Sequence, residues 1–355
     1  MKMLTSFVFL AWVAASVHAS DWPMDRFGIG RTADSGEALG LPLQLGFSAS
    51  IFRDNTTRVA NYGSVVVRTI GGSDYVYAVS LDGSLTAFSS KGAQLWRYAT
   101  GGSIFGAAAV DTSGTIPTVV VASSDGKAYA INATSGSLLW KTGLGGPANG
   151  SPLVVNGKAI FVANSGQITA LNFGDGSLAW QIQTGAYQWA GAASDGTNVY
   201  VSGDDGSVYS IAVTTGVQIW KVNLGGDQFR FIPAISGTHI YVPGQSGNLY
   251  CLDAGSGATI WTLATTDGYL TSPAVLTESG AARFVLASAD GKIAKYQDNG
   301  TTVSAPMWTQ NIGGKLYSSP SIASDYCDIK QGRIGWFWAI CVPSKYRGPA
   351  IQLCL

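Results

Sequence analysis

Histidine, a frequent catalytic base and metal ligand, is nearly absent from this chain. Only His18 and His239 occur among 355 residues, and His239 lies in the strand-like run Thr-His-Ile-Tyr-Val at 238–242. A histidine-rich metal site therefore cannot be built, and a Ser-His-Asp triad would have to use His239. Packing within a strand is the better interpretation of that residue, and the sequence predicts no metal site.

Two further patterns that could bind an ion or a nucleotide are incomplete. The acidic pair Asp204-Asp205 resembles part of a calcium loop but lacks the spaced oxygen ligands and the closing Glu of an EF-hand. A hairpin turn is the better interpretation of this pair. The glycine-rich runs at 28–33 and 143–148 lack the strand before and the helix after that cradle a phosphate, so we predict no nucleotide site.

The four cysteines are unevenly placed. Cys251 stands in a strand pattern where related runs have Ala130 or Ser210, which indicates a small core residue. The other three lie near the C-terminus, at Cys327, Cys341 and Cys354. A disulfide between Cys327 and Cys341 is permitted in an exported protein, but neither spacing nor context requires it.

Composition excludes several classes of protein. The 21 basic and 21 acidic residues leave no net charge, and no long basic run occurs, so a nucleic-acid partner is excluded. With 46% hydrophobic and 12% charged residues the chain can bury a large core, and its 46 glycines indicate many tight turns. The chain is therefore expected to be a turn-rich β protein.

The N-terminus has the pattern of a signal peptide. Lys2 precedes an apolar stretch at 7–17, and the run Val-His-Ala at 17–19 suits a signal peptidase. We predict that residues 1–19 are removed and that the mature chain is soluble, secreted or periplasmic, and without a membrane span. An uncleaved anchor helix is the alternative, but the stretch is shorter than the about 20 residues that cross a bilayer.

Tryptophan recurs about every forty residues and closes the same phrase each time. The intervals are 44, 40, 40, 41 and 47 residues, between Trp96, Trp140, Trp180, Trp220, Trp261 and Trp308. In each phrase a pair such as Asp125-Gly126 supplies the positive φ of a tight hairpin, and a second glycine turn such as Ser135-Gly136 precedes the tryptophan strand. A further strand opens each copy, often next to a proline.

Four short strands per copy, with no helical periodicity between copies, predict an all-β propeller of four-stranded blades. Stacking the blades buries both faces of each sheet, and each of the six tryptophans is expected to dock on the neighbouring blade. Residues 130–140, Ala-Ile-Asn-Ala-Thr-Ser-Gly-Ser-Leu-Leu-Trp, resemble the tryptophan-docking motif of the pyrroloquinoline-quinone (PQQ) repeat propellers. The opening Asp-Trp-Pro-Met at 21–24 is similar to the start of exported members, and the resemblance covers about residues 21–325.

Six copies are complete, and a seventh opens at 315–322 but stops before its turn and tryptophan. The run at 45–48 has the pattern of a last strand, and we expect it to pair with this C-terminal half-blade and close a ring. Seven blades are predicted, with eight as the alternative. The predicted domains are the signal peptide 1–19, an extended segment 20–44, the propeller 45–325 and an aberrant tail 326–355.

The tail departs from the repeat in its turns, its cysteine content and its glycine usage at once. A degenerate closing strand is one interpretation. An altered reading of the gene, through a frameshift or a retained intron, is the other.

One column of the repeat varies in residue type. Three residues before the proline position, the copies have Phe105, Asn149, Trp189, Arg230, Leu270 and Tyr317. These side chains would surround one mouth of the axial channel, where propellers bind ligands. The predicted contacts are members of this column with the neighbouring Gln188 and Lys315, namely Phe105, Asn149, Gln188, Trp189, Arg230, Lys315 and Tyr317. Side chains that only fill the channel are the alternative.

Two functions are compatible with this pattern. The first is an exported, monomeric scaffold that binds a protein or a small-molecule ligand and needs no cofactor. The second, which the resemblance implies, is a PQQ-dependent dehydrogenase that oxidises an alcohol or a polymer like polyvinyl alcohol, with PQQ and calcium on the axis. The adjacent cysteine pair of many alcohol-oxidising members is absent, and only Arg230 and Lys315 could face an anionic cofactor. The scaffold is therefore preferred.

Overall fold

The computed structural model of the protein describes residues 9–11, 47–49, 63–185, 190–265, 270–278, 280–311, 313, 316, 319–323, 326–333, 336–343 and 352–354. Within these ranges every regular element is a β-strand. No helix among them is long and apolar enough to cross a membrane. The restriction of these ranges to β-strands agrees with the absence of helical periodicity between the repeat copies.

The strands pair in chain order into small antiparallel sheets. A two-stranded sheet comprises β1 (Phe9–Ala11) and β2 (Phe47–Ala49). Sheet 1 comprises β3 (Val66–Ile70), β4 (Ser73–Val79), β5 (Ser84–Ser89) and β6 (Gln94–Ala99). Sheet 2 comprises β7 (Ala109–Asp111), β8 (Thr118–Ala122), β9 (Lys127–Asn132) and β10 (Leu138–Gly143). Sheet 3 comprises β11 (Leu153–Val155), β12 (Lys158–Val162), β13 (Gln167–Asn172) and β14 (Leu178–Gln183).

The remaining sheets repeat this arrangement. Sheet 4 comprises β15 (Ala193–Ser194), β16 (Asn198–Ser202), β17 (Ser207–Ala212) and β18 (Gln218–Asn223). Sheet 5 comprises β19 (Ala234–Ser236), β20 (His239–Pro243), β21 (Asn248–Asp253) and β22 (Thr259–Ala264). Sheet 6 comprises β23 (Ala274–Glu278), β24 (Ala281–Ala287), β25 (Lys292–Gln297) and β26 (Trp308–Asn311). Sheet 7 comprises β27 (Pro320–Ala323), β28 (Tyr326–Arg333), β29 (Trp336–Pro343) and β30 (Gln352–Cys354).

The described residues divide into two compact units at the boundary between Gly191 and Ala192. Sheets 1 to 3 belong to the first unit, and sheets 4 to 7 belong to the second.

The glycine turns predicted from the repeat are confirmed. The turns between the second and third strands have positive φ angles of 82°, 81° and 73° at Gly83, Gly126 and Gly206, a conformation that other residues adopt at a cost. The preceding aspartate stabilises the turn, because its side chain accepts a hydrogen bond from the amide two residues later, as from Ser84 to Asp82 Oδ1 at 2.9 Å.

The outer strand of sheets 1 to 5 carries a β-bulge just before the tryptophan. In sheet 1, Gln94 pairs with Phe88 and Trp96 pairs with Ala87, so Leu95 is the extra residue. Leu95 is 47% exposed while Trp96 is 9% exposed. The bulge therefore turns the tryptophan towards the core and leaves the preceding apolar residue at the surface.

Neighbouring sheets are joined through the tryptophans and a backbone carbonyl. In the first unit, Trp96 Nε1 and Tyr77 Oη both donate to the carbonyl oxygen of Ala133, each at 3.0 Å. Gly136 lies against the indole ring, and a Cβ at this glycine would come within 2.8 Å of it. Trp140 Nε1 likewise donates to the carbonyl of Phe173 at 2.9 Å. Sheets 1 and 2 share one buried apolar core that includes Tyr77, Trp96 and Ala133.

The C-terminal pairing differs from the expectation. The strand expected around 45–48 pairs, as β2, with β1 and not with the C-terminal half-blade. Strand β27 instead pairs with β28, and β29 and β30 complete sheet 7 from the tail. The physical reason is that β28 follows β27 after two residues, so pairing them closes a very short loop at small entropic cost.

Candidate functional site

The structure places three of the predicted mouth residues in loops that enter the first strand of a sheet. Each lies four residues before its strand: Phe105 before β7, Asn149 before β11 and Arg230 before β19. Phe105 and Asn149 are half-buried in the first unit, and Arg230 is exposed in the second. The other predicted contacts lie outside the described residues, namely Gln188, Trp189, Lys315 and Tyr317. Leu270, from the same column, is buried.

Asn149 offers a polar atom that no described residue uses. Its Oδ1 is buried and accepts no hydrogen bond. Leaving such an acceptor unsatisfied costs about 1–3 kcal/mol. A water molecule or a ligand that donates a hydrogen bond in this loop would remove the penalty.

Arg230 is held by a carboxylate from the neighbouring turn. Its Nη2 lies 3.1 Å from Asp204 Oδ2, and its Nε donates to Asp204 Oδ1 at 3.1 Å. The same Nη2 also donates to Gln228 Oε1 at 3.4 Å. The two-point contact fixes the guanidinium plane, and the pair as a whole carries no net charge towards the solvent.

Asp205 has the turn role that the sequence predicted, and not that of a calcium ligand. Its Oδ1 accepts the Ser207 amide at 3.0 Å, and its Oδ2 accepts the Tyr209 hydroxyl at 2.6 Å. Burial opposes ionisation of this carboxyl, but the hydrogen bonds from Tyr209 and Ser207 and the nearby Lys221 ammonium outweigh it and lower its pKa. Its oxygens are therefore already bound by donors from the protein.

A polar depression of about 450 Å³ is formed partly by the residues just before Arg230 in sequence. It is lined by Gly225, Gly226, Asp227, Gln228, Gln245, Ser246, Asn248 and Tyr250. Asp227 organises its wall, because it accepts hydrogen bonds from the Ser246 amide at 3.0 Å, from the Ser246 hydroxyl, and from Tyr250 Oη at 3.2 Å. Gln228 is exposed. The depression can accept a side chain that forms hydrogen bonds with amides and hydroxyls.

The contact between sheets 5 and 6 contains a group that sequence reasoning missed. Trp261 Nε1 donates to the side-chain Oδ1 of Asp298 at 3.2 Å, where Trp96 and Trp140 donate to backbone carbonyls. Tyr241 Oη donates to Asp298 Oδ2 at 2.7 Å. His239 Nδ1 lies 2.5 Å from the same oxygen.

His239 is therefore more than a packed strand residue, since it belongs to a polar cluster between two sheets. The fully buried Cys251 confirms the prediction of a core cysteine, but its thiol also belongs to this cluster: the ligand atoms of His239, Cys251 and Asp298 all lie within 4.8 Å of one another. Burial, together with the charges of Asp298 and Asp253, raises the pKa of the Cys251 thiol. A signal existed in the sequence, because Asp298 stands where the copies that form sheets 2 to 5 have apolar residues.

The described residues do not fit PQQ with calcium. An anionic cofactor needs unpaired cations, and Arg230 is already bound to Asp204. Calcium takes six to eight oxygen ligands. Among the predicted mouth residues that the structure describes, none is a carboxylate, and we derive no reaction step through this cofactor.

Comparisons with known proteins agree with the repeat. The family model described as outer membrane protein assembly factor BamB, from the PQQ-repeat group, matches residues 81–204 and 204–325. Tetrathionate hydrolase of Acidithiobacillus ferrooxidans is 30% identical over 136 residues, which is 30% of this chain and 27% of that protein. Outer membrane protein assembly factor BamB of Yersinia pestis is 31% identical over 108 residues, 29% of this chain and 28% of that protein. The chain thus aligns with less than a third of each of these relatives.

Solved structures support the fold. BamB from Moraxella catarrhalis superposes with a TM-score of 0.56 at 19% identity, covering 78% of this chain and 95% of that one. A europium-containing methanol dehydrogenase superposes with a TM-score of 0.65 at 14% identity, covering 90% of this chain and 83% of that one. At these identities the likeness concerns the fold alone, which is a multi-blade β-propeller.

Proposed function

This chain belongs to the PQQ-repeat family described as outer membrane protein assembly factor BamB, and we propose from that membership that it is an exported, monomeric scaffold that binds a partner protein. The family match over residues 81–325 is the observation that carries the proposal. The name of the Yersinia pestis relative gives the class of partner, a component that assembles outer membrane proteins. The scaffold would then act outside the cytoplasm, beside the outer membrane.

The loops around Arg230 are the binding surface that we propose. Arg230 is exposed but held in one orientation by Asp204, so a partner would find it pre-positioned at little entropic cost. Gln228 and Gln245 add amide groups at the edge of the neighbouring depression. Arginine is enriched at protein interfaces, and loops on a rigid sheet scaffold commonly carry binding residues.

The dehydrogenase receives less support. Of the two cations expected to hold PQQ, Arg230 is neutralised by Asp204, and Lys315 lies outside the described residues. The likeness to methanol dehydrogenase concerns the fold, at 14% identity. A propeller fold by itself does not imply the chemistry of another propeller.

Site-specific photo-cross-linking in the native host tests the scaffold. A cross-linking residue at Gln228 is expected to give one covalent adduct with a component of the outer membrane protein assembly machinery. The matched control is Gln218, an exposed glutamine on the outer strand β18 of the same unit, where no adduct is expected. Equal adducts from both positions, or none from Gln228, would contradict the proposed surface.

A second experiment tests the enzyme directly. PQQ and calcium are added to the purified chain, and cofactor absorption and dye-linked alcohol oxidation are followed. We expect no change in either. Oxidation that disappears in Arg230→Ala would overturn the scaffold proposal.

A further inference from the structure

Three residues with metal-binding side chains, His239, Cys251 and Asp298, meet at one place in the fold. At the position of His239, sheets 1 to 4 and sheet 6 have Tyr75, Thr118, Lys158, Asn198 and Arg283. At the position of Cys251, which pairs with the docking tryptophan, they have Ala87, Ala130, Ala170, Ser210 and Lys295. At the position of Asp298, sheets 2 to 5 have Ala133, Phe173, Val213 and Ala254. In those sheets the three positions never combine three metal-binding side chains.

From this convergence we propose that His239, Cys251 and Asp298 bind a zinc ion between sheets 5 and 6. An imidazole nitrogen, a thiolate and a carboxylate oxygen are all ligands that zinc takes in proteins. The proposal concerns a site separate from the Arg230 loops and does not depend on the proposed partner protein.

The distances suit a tetrahedral ion after a small adjustment. Zinc bonds of about 2.0–2.3 Å hold ligand atoms roughly 3.3–3.8 Å apart. The present separations run from 2.5 Å, between His239 Nδ1 and Asp298 Oδ2, to at most 4.8 Å within the trio. His239 must therefore move away from Asp298 by about 1 Å, a shift on the scale of ordinary rotamer adjustment. It can do so because its side chain is 18% exposed and lies at the start of β20.

Charge favours the ion at this depth. The Asp298 side chain is 2% exposed and Cys251 is fully buried, so an isolated charge there would be costly. Zinc with one thiolate and one carboxylate has no net charge. Binding releases the proton of the Cys251 thiol, and a neutral His239 coordinates through Nδ1 after the proton that this nitrogen shares with Asp298 has moved to Nε2.

The surrounding hydrogen bonds would orient the carboxylate. Tyr241 Oη donates to Asp298 Oδ2 at 2.7 Å, and the Gly300 amide donates to Oδ1 at 2.8 Å. Trp261 Nε1 donates to the same Oδ1 at 3.2 Å. Such outer partners raise metal affinity by fixing the ligand. The half-buried His239 gives the ion its path from solvent.

Cobalt and zinc titrations of the full chain test the site. The purified protein is stripped with a chelator, and cobalt(II) is added as a spectroscopic probe. We expect a thiolate-to-cobalt charge-transfer band in the near ultraviolet that saturates at one equivalent and is displaced by zinc. Absence of this band, with no zinc retained after dialysis, would overturn the proposal and leave the trio as a hydrogen-bonded contact only.

The repeat itself supplies conservative variants. Cys251→Ala introduces the residue of sheets 1 to 3, and His239→Asn introduces the residue of sheet 4, so both are expected to fold. Cys251→Ala should abolish the charge-transfer band, and each variant should weaken zinc binding by more than about 100-fold, since loss of an outer partner alone costs 10- to 100-fold.

The matched control is Asp253→Asn. Asp253 pairs with His239 across β20 and β21 but is not a member of the trio, and sheets 2 and 3 have Asn132 and Asn172 at this position. Because Asp253 acts on Cys251 only through its charge, the zinc affinity of Asp253→Asn should differ from that of the wild type by less than about 10-fold, the smallest loss expected for an outer partner. Wild-type zinc affinity in Cys251→Ala, whose folding is checked by its thermal transition, would contradict the proposed ligand set.

Discussion

The contacts between sheets 1 and 2 and between sheets 5 and 6 use the same aromatic pair but different acceptors. Tyr77 and Trp96 converge on the backbone carbonyl of Ala133. Tyr241 and Trp261 converge on the carboxylate of Asp298. In both contacts the two aromatic rings lie 5.9 Å apart at an angle of 46°, so the donors are arranged alike.

The difference concerns what the sequence must specify. A backbone carbonyl is supplied by every residue, so the contact at Ala133 sets no requirement on the side chain, and Phe173 makes the equivalent contact with Trp140. The contact at Asp298 depends on one residue, and that residue also accepts from His239. The repeat therefore builds a generic contact in the first case and a residue-specific contact in the second. Three pairs of variants test this view, from the largest expected effect to the smallest.

Asp298→Ala should be the most damaging change. It leaves the buried donors of His239, Tyr241 and Trp261 without their acceptor, which should lower the free energy of unfolding by about 3–5 kcal/mol. Denaturant unfolding in the presence of a chelator measures this loss without any contribution from a metal.

Asp298→Asn is the control, because it keeps the shape and one acceptor oxygen and should cost less than the alanine. If Asp298→Ala were as stable as the wild type, the carboxylate would not be the acceptor on which this contact depends.

Glycines in the turns that follow Ala133 and Asp298 should respond differently to substitution. Gly136 has φ +76° and lies on the Trp96 ring, whereas Gly300 has φ +90° but open space around it. Gly136→Ala should therefore cost about 2–4 kcal/mol, from backbone strain and overpacking together. Gly300→Ala should cost about 1–2 kcal/mol, from backbone strain alone.

Thermal and urea unfolding of the two glycine variants decide this point. Equal losses would mean that the ring contact of Gly136 contributes nothing beyond the turn.

Tyr77 and Tyr241 should have the smallest effect on stability, and this effect should depend on pH. Burial is the main cause that raises the pKa of both Tyr77 and Tyr241, and for Tyr241 the hydrogen bond and charge of Asp298 add to it. The folded protein thus keeps phenol protons that the unfolded chain loses near pH 10. Below about pH 10 these two tyrosines should not make the free energy of unfolding depend on pH. Above about pH 10 it should fall by about 1.4 kcal/mol per pH unit for each tyrosine.

Phenylalanine variants sharpen the comparison. Tyr77→Phe and Tyr241→Phe should each abolish the part of the fall in stability above about pH 10 that the replaced tyrosine causes. At neutral pH, Tyr241→Phe should cost about 1.5–3 kcal/mol, because it loses a hydrogen bond to a carboxylate, and Tyr77→Phe only about 0.5–1.5 kcal/mol. Unfolding curves between pH 7 and pH 11 provide both quantities, and an unchanged alkaline slope in both variants would contradict the assignment.

Much of the fold was accessible from local patterns. Residues such as Gly126 and Trp140 recur at fixed offsets, and both the positive φ of the turns and the four-strand unit depend on near neighbours in sequence. The partner of the C-terminal half-blade was predicted wrongly, because that pairing was a choice between a distant strand and the adjacent tail. Loop-closure entropy favoured the adjacent β28.

For the candidate sites, too, local patterns could be predicted from the sequence and long-range contacts could not. The variable column containing Arg230 was visible from aligned copies, but its ion pair with Asp204 was not, because 26 residues separate the two. The meeting of His239 with Asp298 spans 59 residues. Each of these residues, taken alone, had an ordinary local interpretation.

The sequence by itself determined the repeating unit, because turn chemistry and strand periodicity act over a few residues, and it determined the family through the same phrases. The tertiary structure decided which departures from the repeat act together. Stacked sheets bring the start of β20, the middle of β21 and the residue after β25 to one place. Leaving their polar groups unpaired there would be costly, so these groups bind one another or a shared ion.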